Sequence, residues 1–274
     1  MPGSRLEWSE RSGLTAAADR PADEPAVVDS WLVAEGRVRD FPLHGQRFQR
    51  ACADMVPDLP PATVHAFLDA VRRRLPAHGR WFPRIEAYGG PRPRLALWPR
   101  PAPAPGTAEV TLWIPPGPDP RVRPTVKGPD LRVLAGLRDR AEAAGADDAV
   151  LYDGGGTVLE AAHSALVWWR GDDLCVPEAA LPVLPSVTRT HLERLAACWR
   201  FTVREERVDL SELPWLETWT LNALHGLRPV RAWIGADGRS TAAKVSARAA
   251  DWRRAVRQRA ILPAHNLWEL PCAQ

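Results

Sequence analysis

Only two of the 36 basic side chains in this 274-residue sequence are lysines, Lys127 and Lys244, and the others are arginines. A guanidinium stays protonated and cannot form an imine with a carbonyl compound, whereas an amine can. Either lysine is therefore a candidate for covalent chemistry with an aldehyde or ketone. Both could equally be surface residues that survive by chance, and composition alone leaves that choice open.

The segment around Lys127 belongs to an ordered series of sequence blocks. V-K-G-P-D-L contains Lys127 and is followed by A-G-A-D-D-A-V-L-Y-D, G-T-V-L-E (ending at Glu160), L-P-S-V-T-R (Leu184–Arg189) and L-N-A-L-H-G-L-R-P-V (Leu221–Val230), and L-H-G-Q-R-F with Arg47 lies upstream. Together these blocks resemble the class IV pyridoxal-5′-phosphate (PLP) enzymes. That family includes branched-chain aminotransferases, D-amino-acid aminotransferases and 4-amino-4-deoxychorismate lyases.

The resemblance implies a role for each matched residue. Lys127 would form the imine with PLP and move the proton between the substrate Cα and C4′. Glu160, 33 positions later, would contact the pyridine nitrogen and keep the ring an effective electron sink. Arg47 would bind the phosphate, as would the backbone amides of Val187 and Thr188 at a helix N-terminus. Thr188 could instead only cap that helix.

Four further residues are weaker candidates. Asn222 and Ala223 match the last block and would lie near phosphate and substrate, or else only pack at a strand end. Arg100 follows a predicted strand and could bind a substrate carboxylate, and His225 could face the substrate, although a lone histidine is more often structural. The four cysteines are scattered, without the spacing of metal ligands, so no metal site is predicted.

The family resemblance implies a PLP fold of type IV, a two-domain α+β or α/β architecture like that of D-amino-acid aminotransferase. We expect a loose arm at residues 1–25, a smaller α/β domain at 26–120 and a larger cofactor-binding α/β domain at 121–274. The resemblance further implies a homodimer with the cofactor between the domains. Hydrophobic periodicity predicts helices at 46–55, 61–75, 131–145, 190–200 and 246–256, with strands at 81–86, 94–98, 109–114, 149–153, 158–170, 201–208, 218–224 and 229–234.

The function predicted first is that of a 4-amino-4-deoxychorismate lyase, which releases pyruvate and 4-aminobenzoate for folate biosynthesis, because the N-A-L triplet is most similar to those enzymes. An amino-acid transaminase of the branched-chain or D-amino-acid type is the alternative, and an inactive PLP-fold binding protein is a third. Three departures fall on the substrate side. Ala165 replaces a frequent asparagine, V-D-S-W-L-V replaces G-D-G-x-F-[E/T], and Val33 or a neighbour stands where the lyases carry a threonine.

Several classes of protein are excluded by composition. The net charge is only +3, and no basic block alternates with aromatic residues, so no nucleic-acid partner is expected. No run of about 18 apolar residues exists to span a membrane. The N-terminus lacks the pattern of a signal peptide, which predicts a cytoplasmic enzyme acting on a small amino substrate.

Overall fold

The computed structural model describes residues 4–17 and 24–258. Its contacts group the described chain into two compact units. The first comprises the residues up to Ala104 together with Val126–Pro129, and the second comprises Pro105–Thr125 with Asp130–Gln258. Lys127 therefore belongs with the first unit, whereas the boundary expected near residue 120 assigns it to the second part of the chain.

The described residues of the first unit form two antiparallel sheets and two helices. The larger sheet has the strand order β2-β1-β8-β7-β3 and the smaller one has the order β5-β4-β6. The elements are β1 (Leu6–Ser9), β2 (Gly13–Ala16), β3 (Val27–Ser30), β4 (Val33–Ala34), β5 (Arg37–Val38), α1 (Phe41–Met55), α2 (Pro61–Arg74), β6 (Arg80–Trp81), β7 (Arg84–Tyr88) and β8 (Arg94–Trp98).

Residues 6–16, expected to be part of a loose arm, form a hairpin that pairs with β8. The reason is apolar burial, because Leu6, Trp8 and Leu14 pack against the core of the unit. The Trp8 ring meets Phe67 edge to face at 6.1 Å between centroids. Because side chains alternate between the two faces of a strand, these residues share one face of the hairpin. Burying that face stabilises the hairpin relative to an unpaired, solvent-exposed arm.

Helix α1 begins five residues earlier than periodicity predicts. Pro42 lies in its first turn, where the fixed φ of proline suits a helix and the missing N–H has no intrahelical acceptor. The first turn also buries Phe41 and His44, which extend the apolar face that continues through Phe48 and Cys52. The prediction for α2 is confirmed to within one residue. No helix of the described chain is long and apolar enough to cross a membrane.

The second unit is built on one nine-stranded mixed sheet with the order β11-β10-β9-β16-β15-β12-β13-β14, in which β17 also pairs with β16. The pairs β9–β10, β9–β16 and β13–β14 are parallel, and the other pairs are antiparallel. Its elements are β9 (Val110–Trp113), α3 (Leu131–Ala143), β10 (Asp148–Tyr152), β11 (Val158–Ala161), β12 (Ala165–Arg170), β13 (Asp173–Pro177), α4 (Val187–Cys198), β14 (Val203–Glu206), a 3₁₀ turn (Leu213–Trp215), β15 (Glu217–Asn222), β16 (Gly226–Ile234), β17 (Ser240–Ala242) and α5 (Ala249–Gln258).

An aromatic cluster closes the side of this sheet that α4 and α5 cover. Trp169 meets Trp219 and Trp252 edge to face, with centroids 5.2 and 5.4 Å away, and it meets Phe201 at 5.5 Å. The Arg248 guanidinium lies over the Trp169 ring at 4.2 Å. Edge-to-face pairs of this kind stabilise a core beyond the area that they bury.

Candidate active site

The backbone at Lys127 is held tightly against the start of β3. The Lys127 carbonyl accepts a hydrogen bond from the Val28 amide at 2.7 Å. Gly128 has a φ of +157°, and a Cβ placed there would come within 2.4 Å of the Ala26 carbonyl oxygen. Only glycine allows backbones to approach this closely. The path of the chain at Lys127 is therefore fixed by its neighbour, and the lysine side chain itself is half-buried.

Arg47 of α1 lies beside Asp29 of β3. Its Nε donates to Asp29 Oδ2 and its Nη2 to Oδ1, both at 2.8 Å. His44 Nδ1 and the Ser30 amide lie 2.9 and 2.7 Å from the same Oδ1. Burial disfavours the Asp29 anion, but Arg47 and His44 outweigh it and hold the pKa of Asp29 well below its usual range. Arg47, predicted to bind phosphate, therefore already shares two of its donors with a buried carboxylate.

Arg100 follows β8 and is sandwiched between aromatic rings. Its guanidinium lies 5.1 Å from the Trp98 ring centroid and 5.4 Å from that of Phe82. Its Nε donates to the Phe82 carbonyl at 3.1 Å, and its Nη2 donates to Ser30 Oγ at 3.4 Å. Burial lowers the pKa of Arg100 to about 10, and the nearby Arg84 cation adds to this.

Glu86, a carboxylate whose charge acts on Arg100, is already engaged. Glu86 is fully buried and pairs with Arg5 at 2.6 Å and with Arg84, whose Nε lies 2.6 Å from Oε1. The Tyr88 hydroxyl donates to its other oxygen at 2.9 Å. Within the described chain, Arg100 makes no ion pair, because Glu86 is held by Arg5 and Arg84.

Glu160 ends up in the second unit as a buried carboxylate on β11. Its Oε1 accepts hydrogen bonds from Arg121 Nη1 at 2.7 Å and from the Leu184 amide at 2.9 Å. Burial raises the pKa of Glu160, and Arg121 opposes this shift. Sequence reasoning missed Arg121. The run R-V-R contains both Arg121 and Arg123, and nothing in that local pattern tells the buried arginine from the exposed one.

The N-terminus of α4 presents two adjacent backbone amides. Ser186 is the N-cap, and its side chain accepts from the Arg189 amide at 3.2 Å, so the alternative of Thr188 as the cap is wrong. Val187 and Thr188 occupy the first helical positions. Their amides have no acceptor in the part of the chain that the structure describes. Unpaired amides at the positive end of a helix form a ready anion site.

Asn222 closes the turn between β15 and β16. Its Oδ1 accepts from the amides of Leu224 and His225 at 3.1 and 2.7 Å. Its Nδ2 donates to Ser164 Oγ at 3.0 Å. The Asn222 side chain therefore shapes the turn, and the amide of Ala223 at its tip is not used in these contacts. Ser164, which precedes the unexpected Ala165, is a second residue that the sequence did not single out.

The donor set of the second unit fits PLP. A buried carboxylate with Oε2 available suits a protonated ring nitrogen, and the two amides before α4 suit a phosphate. Among the residues that the structure describes, no group of three His, Cys, Asp or Glu side chains could hold a metal ion.

A sequence profile described as amino-transferase class IV matches residues 26–233. The chain belongs to the class IV aminotransferase family. Membership confirms the predicted family, the mixed α/β PLP fold of type IV, and the prediction of a PLP-dependent enzyme. The order of the sequence blocks, rather than any one of them, carried that prediction.

Solved structures of this family share the fold at low sequence identity. A hypothetical aminotransferase from Mycobacterium tuberculosis, in its apo form, is 19% identical with a TM-score of 0.76, over 94% of this chain and 99% of that one. The branched-chain aminotransferase of Thermoproteus uzoniensis with norvaline is 17% identical (TM-score 0.79; 93% and 94% covered). The Escherichia coli branched-chain amino acid aminotransferase is 14% identical (TM-score 0.79; 98% of each chain). No curated protein sequence matches this chain.

Proposed function

We propose that this class IV enzyme is a transaminase that acts on amino substrates bearing a carboxylate. The observation that carries the proposal is Arg100, a half-buried guanidinium stacked between two aromatic rings, with every carboxylate oxygen of nearby Glu86 already hydrogen bonded. Arginine recognises a carboxylate through paired, charge-assisted hydrogen bonds. Desolvation strengthens such contacts.

In this proposal each predicted residue keeps one task toward the cofactor. Lys127 supplies the reactive amine and carries the substrate Cα proton as base and then as acid. Glu160 accepts a hydrogen bond from the ring nitrogen, while Arg47 and the amides of Val187 and Thr188 bind phosphate. PLP, when bound, supplies the electron sink for the charge that develops at Cα.

A lyase acting on 4-amino-4-deoxychorismate is the second candidate, and the turn at Asn222 favours it. The N-A-L triplet that resembles the lyases forms a side-chain-closed turn, with Ala223 at its tip. Val33 speaks against it, because this aliphatic residue is fully buried in β4, between Val38 and Trp81 of the paired strands, and has no proton to transfer. The lyase reaction would leave all proton movement to Lys127.

One product assay separates the candidates. The purified protein is incubated with PLP and either aminodeoxychorismate or amino acids paired with keto acids. A new keto acid without 4-aminobenzoate supports transamination, release of 4-aminobenzoate and pyruvate supports the lyase, and a bound cofactor without turnover supports the inactive binding protein. Borohydride reduction followed by peptide mapping should label Lys127, and a label on Lys244 would overturn the assignment.

Arg100→Ala tests the carboxylate-binding step. Loss of a charge-assisted contact of about 1.5–3 kcal/mol should raise KM about ten- to hundredfold for carboxylate substrates. The exposed Arg92 offers a matched control, since Arg92→Ala removes the same charge eight positions earlier in sequence, on the same unit. Equal KM values for both variants would remove Arg100 from the site. The predicted homodimer and cytoplasmic location stay predictions, and light scattering tests the first.

A further inference from the structure

Arg121 forms an ion pair with Glu160, and the Arg121 side chain is only 5% exposed. Its Nε donates a hydrogen bond to Asp119 Oδ1 at 3.0 Å, and its Nη2 donates one to Oδ2 at 2.8 Å. Its Nη1 then reaches Glu160 Oε1 at 2.7 Å. Because the bidentate contact fixes the guanidinium plane, the third nitrogen has little freedom to leave Glu160.

The contacts of Glu160 are one-sided. Arg121 and the Leu184 amide both donate to Oε1, and no described residue donates to Oε2. We propose that Arg121 is a positioning residue: it keeps the Glu160 carboxylate ionised and reserves Oε2 for the ring nitrogen of the cofactor. This inference rests on the role proposed above for Glu160.

The balance of charges explains why an arginine is needed here. Burial favours the neutral form of Glu160 and raises its pKa, and the nearby Asp119 carboxylate acts in the same direction. Arg121 and the Leu184 amide favour the anion. Without Arg121, the buried carboxyl would retain a proton. A neutral carboxyl donates to a ring nitrogen instead of accepting from it, and the unprotonated ring withdraws electrons less well.

The experiment compares Arg121→Gln, Arg121→Lys and Arg123→Gln with the unaltered enzyme. Arg123 is exposed and two positions away, so Arg123→Gln removes the same formal charge without touching Glu160. The holoenzymes are loaded with PLP that is ¹⁵N-labelled at the ring nitrogen, and the nitrogen chemical shift is followed against pH by NMR. This readout reports ring protonation directly and does not depend on turnover.

In the unaltered enzyme and in Arg123→Gln we expect a protonated nitrogen at neutral pH. Arg121→Gln should shift the signal toward the unprotonated value and lower kcat about ten- to hundredfold. Arg121→Lys should largely restore the protonated signal, with the pH of proton loss lower than in the unaltered enzyme. An unchanged nitrogen signal in Arg121→Gln, or an equal change in Arg123→Gln, would overturn the inference.

A folding defect is separable from this outcome. Should Arg121→Gln not fold, Arg121→Lys alone tests the positioning role. A single ammonium cannot hydrogen bond to Asp119 and Glu160 in the geometry that the guanidinium provides. An unchanged pH profile in that variant would then refute the role of Arg121. Failure of the cofactor role proposed for Lys127 and Glu160 looks different, since the unaltered enzyme would bind no PLP or would carry it on Lys244. Failure of the transaminase assignment alone shows in the product assay and leaves the nitrogen signal unchanged.

Discussion

Two buried carboxylates, Asp29 in the first unit and Glu160 in the second, meet the same kind of partner with opposite results. Each is paired with an arginine. Yet the pKa of Asp29 lies below its ordinary value, whereas the pKa of Glu160 lies above it. In both cases burial opposes ionisation, so the difference comes from the partners. Asp29 is favoured as an anion by the charges and hydrogen bonds of Arg47 and His44, whereas Glu160 has Arg121 and the Leu184 amide on one side and the nearby Asp119 anion on the other.

Asp29 is satisfied on both oxygens, because Arg47 binds it bidentately and His44 and the Ser30 amide add two more contacts. Glu160 receives both of its hydrogen bonds on one oxygen. A fully hydrogen-bonded carboxylate holds a fold together, whereas a half-satisfied buried carboxylate carries an electrostatic cost that a ligand can remove. The comparison thus favours a structural task for Asp29 and supports the binding task proposed for Glu160.

The largest effect should follow Asp29→Asn. The substitution removes the buried anion that Arg47 contacts with two of its nitrogens, so we expect a loss of about 3–5 kcal/mol in the free energy of unfolding, measured with denaturant. Asp69→Asn is the matched control, because the Asp69 side chain is 41% exposed and its ion pairs on α2 should contribute less than about 1 kcal/mol. A similar loss in both variants would mean that Asp29 has no special structural task.

Glu160→Gln should change rate rather than stability. The variant should still bind PLP through phosphate contacts and Lys127. Loss of about 3 kcal/mol of transition-state stabilisation would slow single-turnover chemistry roughly a hundredfold. The absorption spectrum of the bound cofactor should shift as well. Glu142→Gln, on the exposed face of α3, is the control. Normal spectrum and normal rate together would place a different carboxylate at the ring.

Arg47→Ala should affect both stability and cofactor binding. Arg47 pairs with the buried Asp29, and it is also proposed to bind the phosphate of PLP. We expect weaker PLP binding by about 1.5–3 kcal/mol, together with a less stable first unit, because Asp29 loses its bidentate partner. Equilibrium dialysis on the folded fraction gives the dissociation constant. Arg50→Ala, an exposed arginine on the same helix, should leave it unchanged. An unchanged PLP dissociation constant in Arg47→Ala would mean that Arg47 pairs with Asp29 and does not bind the cofactor.

The smallest effect is a difference in pH dependence. The depressed pKa of Asp29 gives stability that is complete above the unfolded value of about 3.9 and is lost as the pH falls further. The raised pKa of Glu160 has the opposite effect on the pH dependence of stability. Its cost is present at neutral pH and disappears as the pH falls toward about 4.3, so the unaltered protein should gain stability relative to Glu160→Gln on acidification. Melting curves of the unaltered protein, Asp29→Asn and Glu160→Gln from pH 7 to pH 3 check both signs, and parallel curves would contradict them.

The sequence predicted the elements that carry continuous local patterns, such as α2, β8 and β10, because their apolar spacing is decided within a dozen residues. It misplaced the start of α1, although Pro42 was an available signal. The partners of the candidate residues were out of reach. Arg121 and Ser164 act across separations of 39 and 58 positions, and such contacts depend on strand pairing that no local period records.

The tryptophan cluster of the second unit has an optical consequence. Trp169 meets Trp219 and Trp252 edge to face, and the rings of Trp219 and Trp252 are tilted against each other. All three centroids lie within 6 Å of one another, close enough for the indole transitions to couple. Coupled chromophores in a fixed chiral arrangement give near-ultraviolet circular dichroism that vanishes when the arrangement melts. Because the three rings belong to the second unit, the coupled part of this signal follows the unfolding of that unit without any added label, beside the contribution of first-unit tryptophans such as Trp31.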